Sequence, residues 1–147
     1  MCIDVRKTCE CGSRNVQFHL RDNIMSPEAI SRVFCPSCPG DLAFNAESML
    51  QDNGWVIEYD MILARFLAAG RLGVSPTEVT PAMLFDQGYA CWLEMYPGEK
   101  EAITDEKEQL LRLRKEDQTQ YLTAITAWNI ERVNKLKAAG WRKALRA

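Results

Sequence analysis

The run Val16-Gln17-Phe18-His19-Leu20 alternates apolar and polar positions, the period of two that a half-buried strand shows. Arg21-Asp22-Asn23 offers turn chemistry after it, and Ser26-Pro27-Glu28 a second break in which Ser26 can cap one helical turn. Residues 30–34 then read as a returning strand, so a hairpin is expected. Residues 45–52 have the pattern of a short helix stopped at Asn53-Gly54. Trp55 to Tyr59 is rich in β-formers and fits either a short strand or the lead-in to a helix. Asp60 is placed to cap the run from Met61 to Ala69, which ends at Gly70. Nearly every position there is apolar, which predicts a helix buried on most sides.

Helical signals dominate the rest of the chain. Ser75-Pro76-Thr77-Glu78 matches a capping box, and Thr80-Pro81 repeats the cap-then-proline signal. A helix is expected from about Pro81 through Tyr96, ended by Pro97-Gly98, with Leu84, Phe85, Tyr89 and Trp92 filling a core. Thr104-Asp105-Glu106 opens a charged helical run with acids in its first turn. Its apolar stripe fades over 114–120 and resumes at Tyr121, Ile125, Trp128, Val133 and Leu136, up to Gly140. The pattern leaves open whether 104–139 is one helix or two. Its seam needs covering, by the middle of the chain or by a second copy.

Composition adds limits rather than identity. The chain has 147 residues, 47% hydrophobic and 26% charged, ordinary values for a folded globular protein. A net charge of −2 gives no general attraction to phosphate. No stretch approaches the ~20 apolar residues of a membrane span, and residues 1–7 are charged and lack the apolar run of a leader. A cytoplasmic protein with no membrane partner is expected. Charge is uneven along the chain. Residues 1–41 are balanced, residues 42–99 carry two basic and eight acidic groups, and residues 100–147 carry eleven basic and seven acidic. A division near Gly40-Asp41 follows, with a metal-binding module over 1–41 and a helical domain over 42–147.

The chemistry lies in the cysteines. Cys9 and Cys11, followed by Gly12, are answered by Cys35 and Cys38, followed by Pro39-Gly40. Two cysteine pairs flanking a strand-like insert read as a four-thiolate metal site, zinc first and iron second, since spacing hardly separates the two. A module of about forty residues buries too little apolar surface to fold unaided, which is the physical case for a metal. A redox pair at Cys35 and Cys38 is disfavoured because Pro39-Gly40 would break the helix such a pair needs. A structural disulfide pair conflicts with a reducing compartment. Residues 3–40 resemble a zinc ribbon, in which two cysteine-bearing turns at strand ends clamp one zinc. The resemblance implies Cys9, Cys11, Cys35 and Cys38 as ligands of a structural ion. It departs from the family in having one residue between the first two cysteines, and Pro39 where glycine is common. Cys2 reads as a terminal residue close enough to replace a ligand, Cys91 as a small core residue, and His19 as exposed rather than ligating.

The expected fold class is therefore α+β, a small zinc-ribbon hairpin module followed by a mainly helical domain with a long C-terminal helix. One histidine, no glycine-rich phosphate loop and no nucleophile elbow leave the common catalytic sets without parts. Glu58 and Asp60 are read as a surface carboxylate and a cap in preference to an acid–base pair. Residues 118–147 hold six basic groups against the one acid Glu131. Arg132, Lys135, Arg142 and Lys143, with Trp141 to stack, are candidate contacts to a partner or a nucleic acid, against the plainer reading of a basic helix end. The leading expectation is a non-enzymatic adaptor or accessory subunit with a protein partner or a second copy. A nucleic-acid-binding zinc-ribbon protein and a rubredoxin-like electron carrier are the alternatives.

Overall fold

The computed structural model describes residues 2–38 and 42–146. The chain is α+β and divides into two compact units, Met1–Leu93 and Glu94–Ala147.

The first unit is built on two three-stranded antiparallel sheets. Strand β1 (Cys2–Thr8) pairs with β2 (Asn15–Arg21), and β2 pairs on its other side with β6 (Ala90–Trp92). The second sheet places β5 (Trp55–Tyr59) between β3 (Ile30–Phe34) and β4 (Met49–Asp52). Alternation in β2 does what its period requires, burying Val16, Phe18 and Leu20. The turn Pro27–Ala29 and strand β3 both form, but β3 pairs with β5 rather than returning along β2. The boundary expected at Gly40-Asp41 falls outside the described residues, and strands from either side of it pair in both sheets.

Two expectations in the middle of the chain are corrected. Residues 49–52 form a strand instead of continuing a helix, because Asn53 and Gly54 both take positive φ (50° and 91°), the requirement of a two-residue hairpin turn. Asn45 still makes its local turn, its Oδ1 accepting from Glu47 N–H at 3.0 Å, but the turn stops there. The helix expected over 81–96 is only α2 (Pro81–Asp86), capped by Thr80. Ala90–Trp92 is taken as an edge strand by β2, so pairing with a distant strand overrides a local helical pattern.

Helix α1 (Met61–Leu72) starts at Asp60 as expected, with Leu63 N–H donating to Asp60 Oδ1 at 3.1 Å. Burial is narrower than its composition suggests. Met61, Ala64 and Ala68 face the core, whereas Ile62 and Phe66 are 85% and 76% exposed.

The core gathers around Trp92, which meets Phe18, Trp55 and Phe85 at centroid distances of 5.1, 5.8 and 5.9 Å. Two buried hydrogen bonds join the sheets. Trp92 Nε1 donates to Asp52 Oδ2 at 2.7 Å, and Tyr59 Oη donates to the Ala90 carbonyl at 2.7 Å. Both strands of the second sheet's hairpin are thereby fastened to β6.

The second unit is helical: α3 (Glu99–Ala102), α4 (Thr104–Glu116), α5 (Gln118–Ala139) and α6 (Arg142–Leu145). The run 104–139 is thus two helices. Asp117 breaks it with an extended backbone (φ −151°, ψ 103°), and its carboxylate accepts from Thr119 and Gln120 N–H at 3.0 and 3.1 Å. The two helices fold back as a hairpin, Trp128 Nε1 donating to Glu106 Oε2 at 2.6 Å. Neither α4 nor α5 has a fully buried residue.

Candidate metal centre

The first cysteine turn closes the β1–β2 hairpin. Cys9 N–H donates to the Arg14 carbonyl at 3.0 Å, and Gly12 N–H donates to the Cys9 carbonyl at 2.8 Å. The second turn follows β3 directly, with Cys38 N–H donating to the Cys35 carbonyl at 3.0 Å. Glu10 N–H donates to the Val33 carbonyl at 2.9 Å, which ties the first turn to the strand that delivers the second. The cysteine pairs therefore come from different sheets. The hairpin expected to bring them together is replaced by a meeting of two sheet ends.

The four thiols converge closely enough to hold one ion. All four ligand atoms lie within 4.8 Å of one another. Cys9 and Cys11 Sγ are 3.2 Å apart, and Cys11–Cys35 and Cys35–Cys38 are each 3.5 Å. A disulfide needs about 2.05 Å, and all four are free thiols. A tetrahedral ion with metal–sulfur bonds of about 2.3 Å spaces its sulfurs ~3.8 Å apart, so these three pairs lie about 0.3–0.6 Å inside that spacing. Cys9 and Cys35 are buried, Cys38 is half-buried and Cys11 is exposed. These four residues form a group able to hold a metal ion.

Electrostatics differ across the cage. The Ser13 hydroxyl, 2.9 Å from Cys11 Sγ, lowers the Cys11 thiol to about 6. Burial pushes Cys38 up to about 11, although the Cys35 N–H donates to its sulfur at 3.1 Å. Backbone N–H bonds to sulfur of this kind stabilise thiolates and are the usual company of ligated cysteines. Ser13 and the Cys35 amide are supporting groups that the cysteine spacing alone did not reveal; the serine's place two residues after Cys11 was the available signal.

The remaining candidates are placed as follows. Asp60 is the α1 cap, and Glu58 lies opposite Arg32, whose Nε and Nη2 donate to its two carboxylate oxygens at 3.0 and 2.9 Å. That bidentate pair holds the Glu58 carboxyl below the usual carboxylate range. His19 is on the outer face of β2, 3.6 Å from Asp4. Cys2 is exposed and Cys91 is buried in β6, both apart from the cage. In the second unit Arg132 is paired with Glu99 and lies over the Trp128 ring, while Lys135 meets Glu131 at 3.2 Å. Arg132 and Lys135 line a hollow of about 310 Å³ with Tyr96 and Trp128. Trp141 stacks on Tyr96 at 5.3 Å, and Arg142 and Lys143 belong to α6.

No family model matches the chain, and no curated protein or solved structure matches it either. Among the described residues no helix is long and apolar enough to cross a membrane.

Proposed function

We propose that Cys9, Cys11, Cys35 and Cys38 bind one structural zinc ion in a ribbon-like site, and that the protein is a non-enzymatic, cytosolic adaptor or accessory subunit that docks on another protein. The convergence of four thiols within 4.8 Å carries the metal reading. Four thiolates saturate zinc and leave no position for water or substrate, so the ion's work is mechanical. Here it joins the end of β1 to the end of β3. The docking reading rests on α5. Residues 118–130 hold no charged side chain, and Leu122 and Ile130 on that stretch are 62% and 59% exposed. Thr123, Thr126 and Ala127 lie between them, a smooth apolar face of the kind that marks protein contact.

Metal analysis tests the first part. Purified protein is expected to be colourless with one zinc per chain. Red, iron-containing protein with reversible one-electron chemistry would assign an electron carrier instead, and metal-free protein with paired cysteines would remove both. For the second part, a photo-crosslinker at Ile130 is expected to trap a different protein in cells as one defined product, lost in Leu122→Glu. No such product, or only a cross-link between copies of this chain, overturns the adaptor reading.

A further inference from the structure

Strand β1 is the outer strand of its sheet, and its hydrogen-bonding pattern fixes which groups face outward. Arg21 N–H donates to the Tyr89 carbonyl at 3.1 Å and Leu93 N–H to the Gln17 carbonyl at 3.0 Å, so the odd-numbered residues of β2 turn their backbone groups toward β6. Cys9 N–H donating to the Arg14 carbonyl at 3.0 Å gives the matching phase on the other side. Ile3, Val5 and Lys7 therefore bond to Leu20, Phe18 and Val16, their partners in the register. The backbone N–H and C=O groups of Cys2, Asp4, Arg6 and Thr8 point away from the sheet. Among the described residues no strand pairs with that edge.

The edge is complementary to itself. An antiparallel copy related by a two-fold axis at Val5 pairs Asp4 with Arg6 of the second copy and Arg6 with its Asp4, and brings Cys2 opposite Thr8. These are the residues whose backbone groups face outward, so each charged pair coincides with a hydrogen-bonded pair. Sliding the register by one pairing step puts Asp4 against Asp4, or Arg6 against Arg6, and like charges directly opposite destabilise a sheet. On the other face, Val5 meets Val5, and half-buried Ile3 lies opposite Lys7 of the second copy, whose aliphatic stem can cover it. Length supports one arrangement only: β1 runs from Cys2 to Thr8 and Val5 is its midpoint, so this register uses the whole strand.

We infer that two copies of this chain associate through β1, edge to edge, forming one continuous six-stranded antiparallel sheet. A second copy is favoured over a foreign strand because both signs of charge, their spacing and the strand's centre agree on a single symmetric register. An interface of one strand per partner is at the small end of protein contacts, so the dimer is expected to be reversible and concentration-dependent. The inference stands apart from the adaptor reading, since it uses neither the metal nor α5.

Sedimentation velocity on the full chain, from micromolar to several hundred micromolar, tests it. Wild type is expected to shift from monomer to dimer across that range. Asp4→Arg and Arg6→Asp are each expected to stay monomeric where wild type is dimeric, and Asp4→Arg/Arg6→Asp together to dimerise again. Both positions are exposed, and a far-ultraviolet circular dichroism spectrum identical to wild type checks that each variant is folded. A wild-type chain that remains monomeric throughout overturns the inference. So do single variants that dimerise normally, or a double variant that does not recover.

Discussion

The two units reach order by opposite routes. In Met1–Leu93 the strands are three to seven residues long, and the core joins residues far apart in sequence, as between Trp92 and Phe18 or Asp52. In Glu94–Ala147 the two main elements, α4 and α5, are long and locally specified, yet they bury no residue fully. Four-residue strands do not persist alone, so the first unit has structure only where its core and cysteine turns close together. Helices of 13 and 22 residues make their backbone hydrogen bonds within themselves, and Asp117 caps the second, so their geometry is specified locally even where a face is left uncovered. The cysteine group able to hold a metal ion belongs to the unit that cannot form locally, and the open apolar face to the unit that can.

Removing the metal should separate the units most sharply. Structural zinc contributes on the order of 10 kcal/mol in small thiolate sites. The ion would hold the ends of β1 and β3, one from each sheet, so its loss reaches beyond the cysteine turns. A strong chelator is expected to abolish the near-ultraviolet signal of the Trp55–Trp92 cluster while sparing most of the helical far-ultraviolet signal. Protein that loses its metal and keeps the tryptophan spectrum would show that the two sheets need no staple.

Replacing one tryptophan in each unit gives the next largest contrast. Trp92 is buried among three aromatic rings and donates to buried Asp52. Trp92→Ala is expected to cost about 3–5 kcal/mol from the cavity, and the lost hydrogen bond to Asp52 adds to it. Trp128 packs along a helix hairpin with no fully buried position, and its bond is to exposed Glu106. Trp128→Ala is expected to cost about 1 kcal/mol. Urea unfolding of both variants measures this, and similar losses would refute the division into a closed and an open unit.

How far the sequence disclosed each unit follows the same line. The four cysteines were legible because ligand spacing is a local pattern, and the caps at Asp60 and Thr80 because a cap needs only its own turn. Strand β6 was hidden because Tyr89, Trp92 and Leu93 also fit a helical stripe, and only β2 decides between them. The delivery of the cysteine pairs from two sheets was hidden for the same reason, as nothing near Ile30 names β5 as its partner. Asn53-Gly54 carries a hairpin signal that, read locally, is equally a helix end, and only the pairing of β4 with β5 separates the two. Gly54 is doubly constrained, by its positive φ and by Pro36 of the second cysteine turn, whose Cγ would lie 3.2 Å from an added Cβ. Gly54→Ala is expected to cost about 1–3 kcal/mol. It should lower zinc retention in a chelator competition, because the displaced proline lies between Cys35 and Cys38. A stable variant with unaltered retention would uncouple the β4–β5 turn from the metal.

The smallest expected effect compares two ion pairs. Arg32 and Glu58 face each other across β3 and β5 in a bidentate arrangement, with Glu58 only 16% exposed. Lys135 and Glu131 are an i,i+4 pair on α5, with side chains 74% and 66% exposed. A fixed fork on a sheet gives up less side-chain freedom on pairing than two long chains free in water. The coupling in a double-mutant cycle is therefore expected to be larger for Arg32–Glu58. Hydrogen bonding from Arg32 lowers the Glu58 carboxyl below its usual value. A depressed folded-state value means the pair's contribution is complete above the unfolded carboxylate's range, near pH 4.3, and fades as pH falls through the folded value. The difference between wild type and Glu58→Gln should thus shrink on acidification and stay constant from pH 6 to 8. A difference that grows as pH falls would mean that Glu58 is strained rather than stabilised where it lies.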